Sequence, residues 1–114
     1  MIKKIKLMAD YQCFPLWDME EPDNIDPKDL PITKDLINSL YNWAESFDAT
    51  LNDSDPSLSG FKNEHEAEDF EREGIRLWLL LREQLKPNYL VYYKSYKQHK
   101  LINDSIELQE ALRN

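Results

Sequence analysis

The stretch NEHEAEDFEREGIRLWLLLREQLKPNYLVYYKSYK, residues 63–97, changes its hydrophobic period once, and that change decides the fold class. Before Pro87, apolar residues recur every three or four positions, which is the period of an amphipathic helix. Asn63, with a glutamate three positions later, matches a capping box that has Asn in the cap position. Residues 88–97 are rich in tyrosine and other strand-forming residues. The stretch therefore predicts a helix over about 64–85 followed by a strand.

The residues upstream predict a first strand and another helix. Residues 2–9 alternate lysines with apolar residues, which is the period-two pattern of a half-buried strand. Thr33 is a good N-cap, and apolar residues follow it at spacings of three or four, so a helix is expected over about 34–51. Between them, residues 15–31 contain four prolines and several Asp and Asn residues, which predicts a long loop. Loops of this length are often functional.

Together these elements predict an α+β fold. The N-terminal strand is expected to pair with the late strand, and the two helices to pack on one face of this small sheet. The tail is expected to add a strand and a short C-terminal helix over about 104–113. The length of 114 residues fits a single domain spanning residues 1–114.

Composition favours a protein of the reducing cytoplasm with no membrane partner. No apolar run approaches the roughly 18 residues that a spanning helix needs. The N-terminal run MIKKIKLMADYQ lacks both the sustained apolar segment and the small-residue cleavage site of a secretory signal. Cys13 is the single cysteine, so an internal disulfide is impossible.

Acidic residues are concentrated in one part of the chain. The net charge is −8, yet residues 10–73 hold 18 of the 22 acidic residues and only four basic ones, a net charge of −14. Such a segment repels nucleic-acid phosphates and anionic lipids and attracts basic proteins. It predicts a basic protein partner and no direct contact with nucleic acid. Acidity that serves only solubility is the alternative explanation.

Groups that could support catalysis or bind a cofactor are few. His65 and His99 lie in different predicted elements, and neither belongs to a nucleophile, metal or general-base motif. Cys13 has no histidine near it in the sequence and is interpreted as a structural thiol. We therefore predict no catalytic, cofactor or metal site. An enzyme stays an alternative only if two carboxylates, such as Asp10 and Asp18, meet in a pocket.

The candidate binding residues are acidic side chains close to large aromatic ones. Acids cluster over residues 18–29, 48–55 and 64–73, and aromatic residues precede the first cluster. Protein interfaces place aromatic anchors at a desolvated centre and charges at the rim. The candidate partner-binding residues are Tyr11, Phe14, Trp17, Asp18, Glu20, Glu21, Asp23, Asp26, Asp53, Asp55, Glu68 and Glu71. Alternatively, the aromatics could pack under the loop, and the acids of the second helix could form an ordinary solvated face.

Several runs of the sequence resemble a known family. They are KLMADYQCFPLWD (6–18), NIDPKDLP (24–31), WAESFDATLNDSDPSLSGF (43–61) and the spaced Phe, Glu-Gly and Leu residues of 70–85. They resemble a family of small bacterial proteins that includes immunity proteins of contact-dependent growth inhibition (CDI) systems, in particular those paired with ribonuclease toxins. The resemblance covers roughly residues 4–93.

This resemblance implies a cytoplasmic binder that caps the active site of a cognate toxin, and not an enzyme. The partner that it implies is a basic nuclease toxin domain, with ribonuclease as the favoured class. No cofactor is expected, and the protein is expected to be a monomer that enters a heterodimeric complex. The alternative is a small acidic regulatory or structural binding domain with no toxin partner.

Overall fold

The computed structural model describes residues 2–21, 23–52, 54–55 and 59–103, which form a five-stranded mixed sheet and two long helices. In chain order the elements are β1 (Lys3–Leu7), β2 (Leu16–Asp18), β3 (Asp23–Ile25), a 3₁₀ helix (Pro27–Asp29), α1 (Lys34–Asp48), α2 (Glu64–Leu85), β4 (Tyr89–Lys94) and β5 (Leu101–Ile102). This architecture confirms the predicted α+β class.

The sheet has the strand order β3-β2-β1-β4-β5, with β1 at its centre. β1 lies parallel to β4, with Ile5 opposite Val91, which confirms the predicted pairing of the first and late strands. Parallel neighbours need a long crossover, and the segment containing α1 and α2 provides it. The other neighbouring strands are antiparallel.

The core lies between one face of the sheet and the two helices. Ile5, Leu7, Val91 and Tyr93 of the two central strands are at most 2% exposed. α2 packs on β4, and α1 packs on α2 and on the 3₁₀ helix. The opposite face of the sheet has no helix on it among the described elements, and its side chains there include Trp17.

Gly74 of α2 lets two aromatic side chains approach the helix closely. A Cβ at this position would lie 2.6 Å from Tyr93 Oη and 2.7 Å from Trp43 Cζ2. Trp43 also stacks on Phe70, with ring centroids 4.4 Å apart, and its Nε1 donates a hydrogen bond to the Phe70 carbonyl at 3.0 Å. These contacts fix α1 and the sheet against the middle of α2.

The prediction of a loop over residues 15–31 is wrong, because this segment contains β2, β3 and the 3₁₀ helix. Leu16 pairs with β1, and Asn24 Nδ2 donates to the carbonyls of Phe14 (2.7 Å) and Leu16 (3.0 Å). Pro15 precedes β2 and Pro27 opens the 3₁₀ helix, so neither proline interrupts a strand.

Helix boundaries follow local capping. α1 ends at Asp48 and not at residue 51, because the N–H and Oγ1 of Thr50 both donate to the Phe47 carbonyl and turn the chain. α2 has its predicted bounds, and Asn63 Oδ1 accepts from Glu66 N at 2.9 Å as the capping box requires. The helix predicted over 104–113 lies outside the described residues.

Candidate partner-binding surface

The fold divides the predicted acidic residues between opposite ends of the molecule. The turn between β2 and β3 lies beside the start of β1, since Met19 N donates to the Lys4 carbonyl at 3.0 Å. α2 ends at this same side, because Lys3 N donates to the carbonyl of Asn88, just beyond α2, also at 3.0 Å. A helix of 22 residues is about 33 Å long, so the acidic first half of α2 lies far from this turn.

Exposed acids where β2 connects to β3 form the first group, which we call the hairpin tip: Glu20 and Glu21 of the turn and Asp23 at the start of β3. Asp18, at the end of β2, has a structural role beneath them. Its Oδ1 accepts from the backbone N–H groups of Glu20 (2.9 Å) and Glu21 (3.1 Å), and its Oδ2 lies 3.5 Å from Lys3 Nζ. These backbone hydrogen bonds, together with Lys3, lower the pKa of Asp18.

Asp26 is also used by the fold. It caps the 3₁₀ helix by accepting from Lys28 N at 3.1 Å, and it accepts a hydrogen bond from the Tyr41 hydroxyl. Partial burial acts to raise its pKa, but the hydrogen bonds from Tyr41 and Lys28 and the Lys28 ammonium outweigh this effect. The pKa of Asp26 therefore lies below its usual value.

Tyr11 and Phe14, two of the predicted aromatic anchors, lie in different packing environments. Tyr11 stacks on Phe47 with ring centroids 4.5 Å apart, and its hydroxyl shares a hydrogen bond with Thr50 Oγ1 at 2.8 Å. Phe14 is 40% exposed, with its ring centroid 6.4 Å from that of Tyr41. Tyr11 thus supports the end of α1, while Phe14 keeps an accessible apolar face.

Trp17, the third predicted anchor, lies on the sheet face that points away from the helices. It pairs with Lys6, and its Nε1 donates to the Met8 carbonyl at 3.0 Å. Its half-buried ring therefore lies beside a basic residue and not within the acidic groups. The three aromatic residues do not form a single patch.

The second acidic group lies on the outer face of α2 and is extensively ion-paired. The pairs are Lys97 with Glu64 (3.7 Å) and Glu68 (3.2 Å), Arg72 with Glu68 (3.8 Å) and Asp69 (3.1 Å), and Arg76 with Glu73 (2.7 Å), and His65 Nε2 also lies 3.4 Å from Asp69. Lys97 lies in the turn between β4 and β5, and sequence alone did not predict its pairing with the acids of α2. Exposed monodentate pairs are worth about 0–1 kcal/mol each, so a competing cation can replace their basic members. The Arg76–Glu73 pair is bidentate and therefore stronger.

Glu71 was predicted to contact the partner, but the residue is only 7% exposed and its carboxylate faces inward. It accepts hydrogen bonds from the hydroxyls of Tyr93 and Ser95 and, at 3.2 Å, from Tyr96 N. Burial and the neighbouring Glu71 carboxylate raise the pKa of Tyr93. Glu71 therefore joins α2 to the end of β4 and is not a surface contact.

An open groove with a volume of about 1030 Å³ lies between the second half of α1, the first half of α2 and described residues of the segment that connects them. Its walls combine aromatic, polar and acidic side chains, and three carboxylates face one lysine. These residues include Trp43, Phe61 and Phe70, then Asn42 and Ser46, and finally Lys62, Glu66, Asp69 and Glu73. We call this feature the groove.

The remaining predicted groups are Asp53, Asp55 and the pair of Asp10 with Asp18. Asp53 lies outside the described residues, and Asp55 is an exposed residue whose N–H donates to Asn52 Oδ1 at 3.0 Å. Asp10 follows the end of β1 that lies away from Asp18, so these two carboxylates do not meet. Within residues 2–21, 23–52, 54–55 and 59–103, no cluster of three or more His, Cys, Asp or Glu side chains could hold a metal ion.

A comparison with protein families gives a match to the family described as Serratia CdiI immunity protein-like, over residues 3–96. The chain belongs to this family. The match runs from β1 through β4 and includes both the hairpin tip and the groove. It confirms the resemblance to CDI immunity proteins, and membership implies an immunity protein for CDI toxins. No curated protein matches the chain.

Two further observations concern this CdiI-like protein. No helix in the described part of the chain is both long and apolar enough to cross a membrane.

Sequence alone did not predict the groove. The only signals for it are Asn42 and Ser46, two small polar residues four positions apart beside the apolar stripe of α1, and such pairs are common on solvated helices.

Proposed function

We propose that this CdiI-like protein is a cytoplasmic immunity protein that binds a basic nuclease toxin domain, with ribonuclease as the favoured class. It neutralises the toxin by covering the active site, as a monomer in a one-to-one complex. The observation that carries the proposal is the acidic surface at the α1–α2 end, where the carboxylates of Glu66, Asp69 and Glu73 border a groove large enough for partner side chains.

Charge chemistry supports this choice of partner. A nuclease must bind a polyanion, so its substrate cleft is basic. Carboxylates on an inhibitor can occupy the positions that phosphates take in the substrate complex, and a like-charged nucleic acid is kept away from the inhibitor itself. Inhibition by covering a cleft needs a complementary surface and no reacting group from the inhibitor. The protein therefore acts without catalysis and without a cofactor.

We expect the gene directly upstream to encode a basic toxin domain at its 3′ end, and the direct test uses that domain. The two proteins are co-purified, their stoichiometry is measured by light scattering, and cleavage of RNA and of DNA by the toxin is followed with and without the immunity protein. We expect a one-to-one complex and loss of cleavage on mixing. Two proteins that ignore each other at micromolar concentration would end the proposal.

Salt dependence tests the electrostatic part separately. If the acidic surface steers association, the association rate falls steeply as ionic strength rises from about 0.01 M to about 0.5 M, because the screening length shrinks over this range. The dissociation rate should change much less. An association rate that does not respond to salt would remove the acidic surface from the mechanism while leaving binding itself intact.

A further inference from the structure

Resting on the proposed function, we propose that the groove is the main docking site and that it receives an arginine-bearing segment of the toxin domain. The hairpin tip and the acids of α2 differ in the shape of the surface that carries them. The hairpin tip presents its carboxylates on a turn, whereas Asp69 and Glu73 border a concavity that has apolar and hydrogen-bonding walls. A concave site with few placed polar groups is the usual form of a specific binding site.

Spacing on α2 suits a guanidinium group. Asp69 and Glu73 are four residues apart on one helix face, so their Cβ atoms lie about 6 Å apart. Two carboxylates at this separation can both accept from the planar fork of one arginine, and lysine lacks this geometry. Across the groove, Asn42 and Ser46 offer further hydrogen-bonding groups from α1.

The apolar part of the groove suits the stem of the same side chain. Arginine carries three methylene groups below its charged head and covers apolar surface with them. Phe61 is partly buried and lines the groove beside the buried Trp43–Phe70 pair. From Glu66 to Glu73 the acidic edge is about 10 Å long, which accommodates two turns of a partner helix or three extended residues.

Existing ion pairs do not block this occupant. Asp69 lies 3.1 Å from Arg72 and 3.4 Å from His65 Nε2, and Glu73 accepts two hydrogen bonds from Arg76, from Nε and Nη2, both at 2.7 Å. The side chains of these two acids are 52% and 38% exposed. Exposed monodentate pairs such as that of Arg72 with Asp69 are weak, so a partner's arginine can replace Arg72 there. The bidentate Arg76–Glu73 pair is stronger, so the partner's arginine competes with Arg76 for that carboxylate. Neutralising these acids should also leave the buried core intact.

A matched pair of double variants tests the proposal. Asp69→Asn with Glu73→Gln removes two charges at the groove, and Glu20→Gln with Glu21→Gln removes two charges at the hairpin tip. Binding of each folded variant to the toxin domain is measured by surface plasmon resonance. We expect the groove variant to raise Kd by about 10- to 100-fold, mainly through faster dissociation. The tip variant should slow association only, by about threefold or less.

A steric variant gives a second, independent measurement. Ser46→Lys places a long cationic side chain in the groove, and Asn38→Lys adds the same charge to an exposed position of α1 outside it. Ser46→Lys should weaken binding by about tenfold or more, and Asn38→Lys by about threefold or less. Circular dichroism and thermal midpoints check that all variants fold.

Failures of the two proposals are distinguishable. If the wild-type protein does not bind the toxin domain, the proposed function fails. If the wild type binds and the groove variants dissociate at the wild-type rate, the groove proposal alone is overturned. A larger loss from the hairpin-tip variant than from the groove variant would overturn it as well.

Discussion

Glu71 shows how the environment of a single residue decides its role. It lies in a run of acids on α2, yet its carboxylate is the acceptor for three donors of the β4–β5 region. A buried carboxylate supplied with several donors is a structural group, because removing it would leave those donors without partners. Its exposed neighbours remain available to a partner.

Replacing Glu71 should therefore affect stability and not binding. Glu71→Ala leaves two hydroxyls and one N–H unsatisfied, so we expect the free energy of unfolding to fall by about 3 kcal/mol or more. The matched surface change Glu68→Ala should cost less than about 1 kcal/mol. Urea denaturation measures both. Equal losses would contradict the structural role of Glu71.

Tyr41 and Asp26 provide a test of charge stabilisation at the residue scale. In Tyr41→Phe the hydrogen bond to Asp26 is lost, so the pKa of Asp26 should rise towards its usual value of about 3.9. A carboxyl group whose pKa is lowered by folding stabilises the folded state at pH values above its usual pKa. That contribution is lost as the pH falls through the folded-state pKa. The stability advantage of the wild type should therefore shrink in acid.

Carboxyl-carbon NMR titration measures this shift directly. Asp18 is an internal control, because its pKa is lowered by backbone hydrogen bonds from Glu20 and Glu21 that the substitution does not touch. An unchanged pKa of Asp26 in Tyr41→Phe would show that the hydroxyl contributes nothing to it.

At the scale of elements, the packing of α1, α2 and β4 converges on Gly74. Tyr93 comes from β4 and Trp43 from α1, and both would contact a Cβ placed there at less than 3 Å. Neither side chain can withdraw without breaking a hydrogen bond, to Glu71 in one case and to the Phe70 carbonyl in the other. The position therefore requires glycine even though it lies inside a helix.

Gly74→Ala should destabilise the protein by up to about 2 kcal/mol. Alanine gains about 1 kcal/mol in helix propensity, but the overpacking of a filled site costs about 1–3 kcal/mol and outweighs it. The check is a double-mutant cycle with Trp43→Phe, which removes the atom nearest the new methyl group on that side. A smaller penalty in the Trp43→Phe background is expected, and additive penalties would contradict the proposed contact.

At the scale of the whole molecule, strand order and charge distribution act together. The parallel β1–β4 pair places the end of α2 beside the hairpin tip and sends its acidic first half to the opposite end. Two of the predicted acid clusters, 18–29 and 64–73, thus lie on separate surfaces. A partner of ordinary size contacts about 800 Å² on each side, so one surface can be the centre of the interface while the other acts through long-range attraction.

Hydrogen exchange should report the same organisation. Because β1 is paired on both sides and its inward residues are buried, amides of β1, β4 and the middle of α2 should exchange slowest. The short edge strands β3 and β5 should exchange faster, since they open without disrupting the core. Mass spectrometry of exchanged peptides measures this, and equal protection of β1 and β3 would contradict it.

The sequence determined the features that depend on neighbouring residues. Asn63 and Thr33 mark helix starts, apolar spacing marks the two helices, and alternation marks β1, because capping and periodicity act within one or two turns of the chain. These elements sufficed for the α+β class, and runs such as 6–18 sufficed for the family. The acidic segment 10–73 is likewise visible without any structure.

Tertiary structure alone decided where these residues meet. Leu16 becomes a strand residue because Leu7 lies opposite it, and Glu71 becomes a core residue because Tyr93 and Ser95 arrive from more than twenty positions away. The prolines around Leu16 predict a loop, and the density of acids around Glu71 predicts an exposed face. Pairing and burial depend on contacts that are distant in sequence, and local composition carries no record of them. The groove arises for the same reason, since its walls come from two helices and from the segment between them.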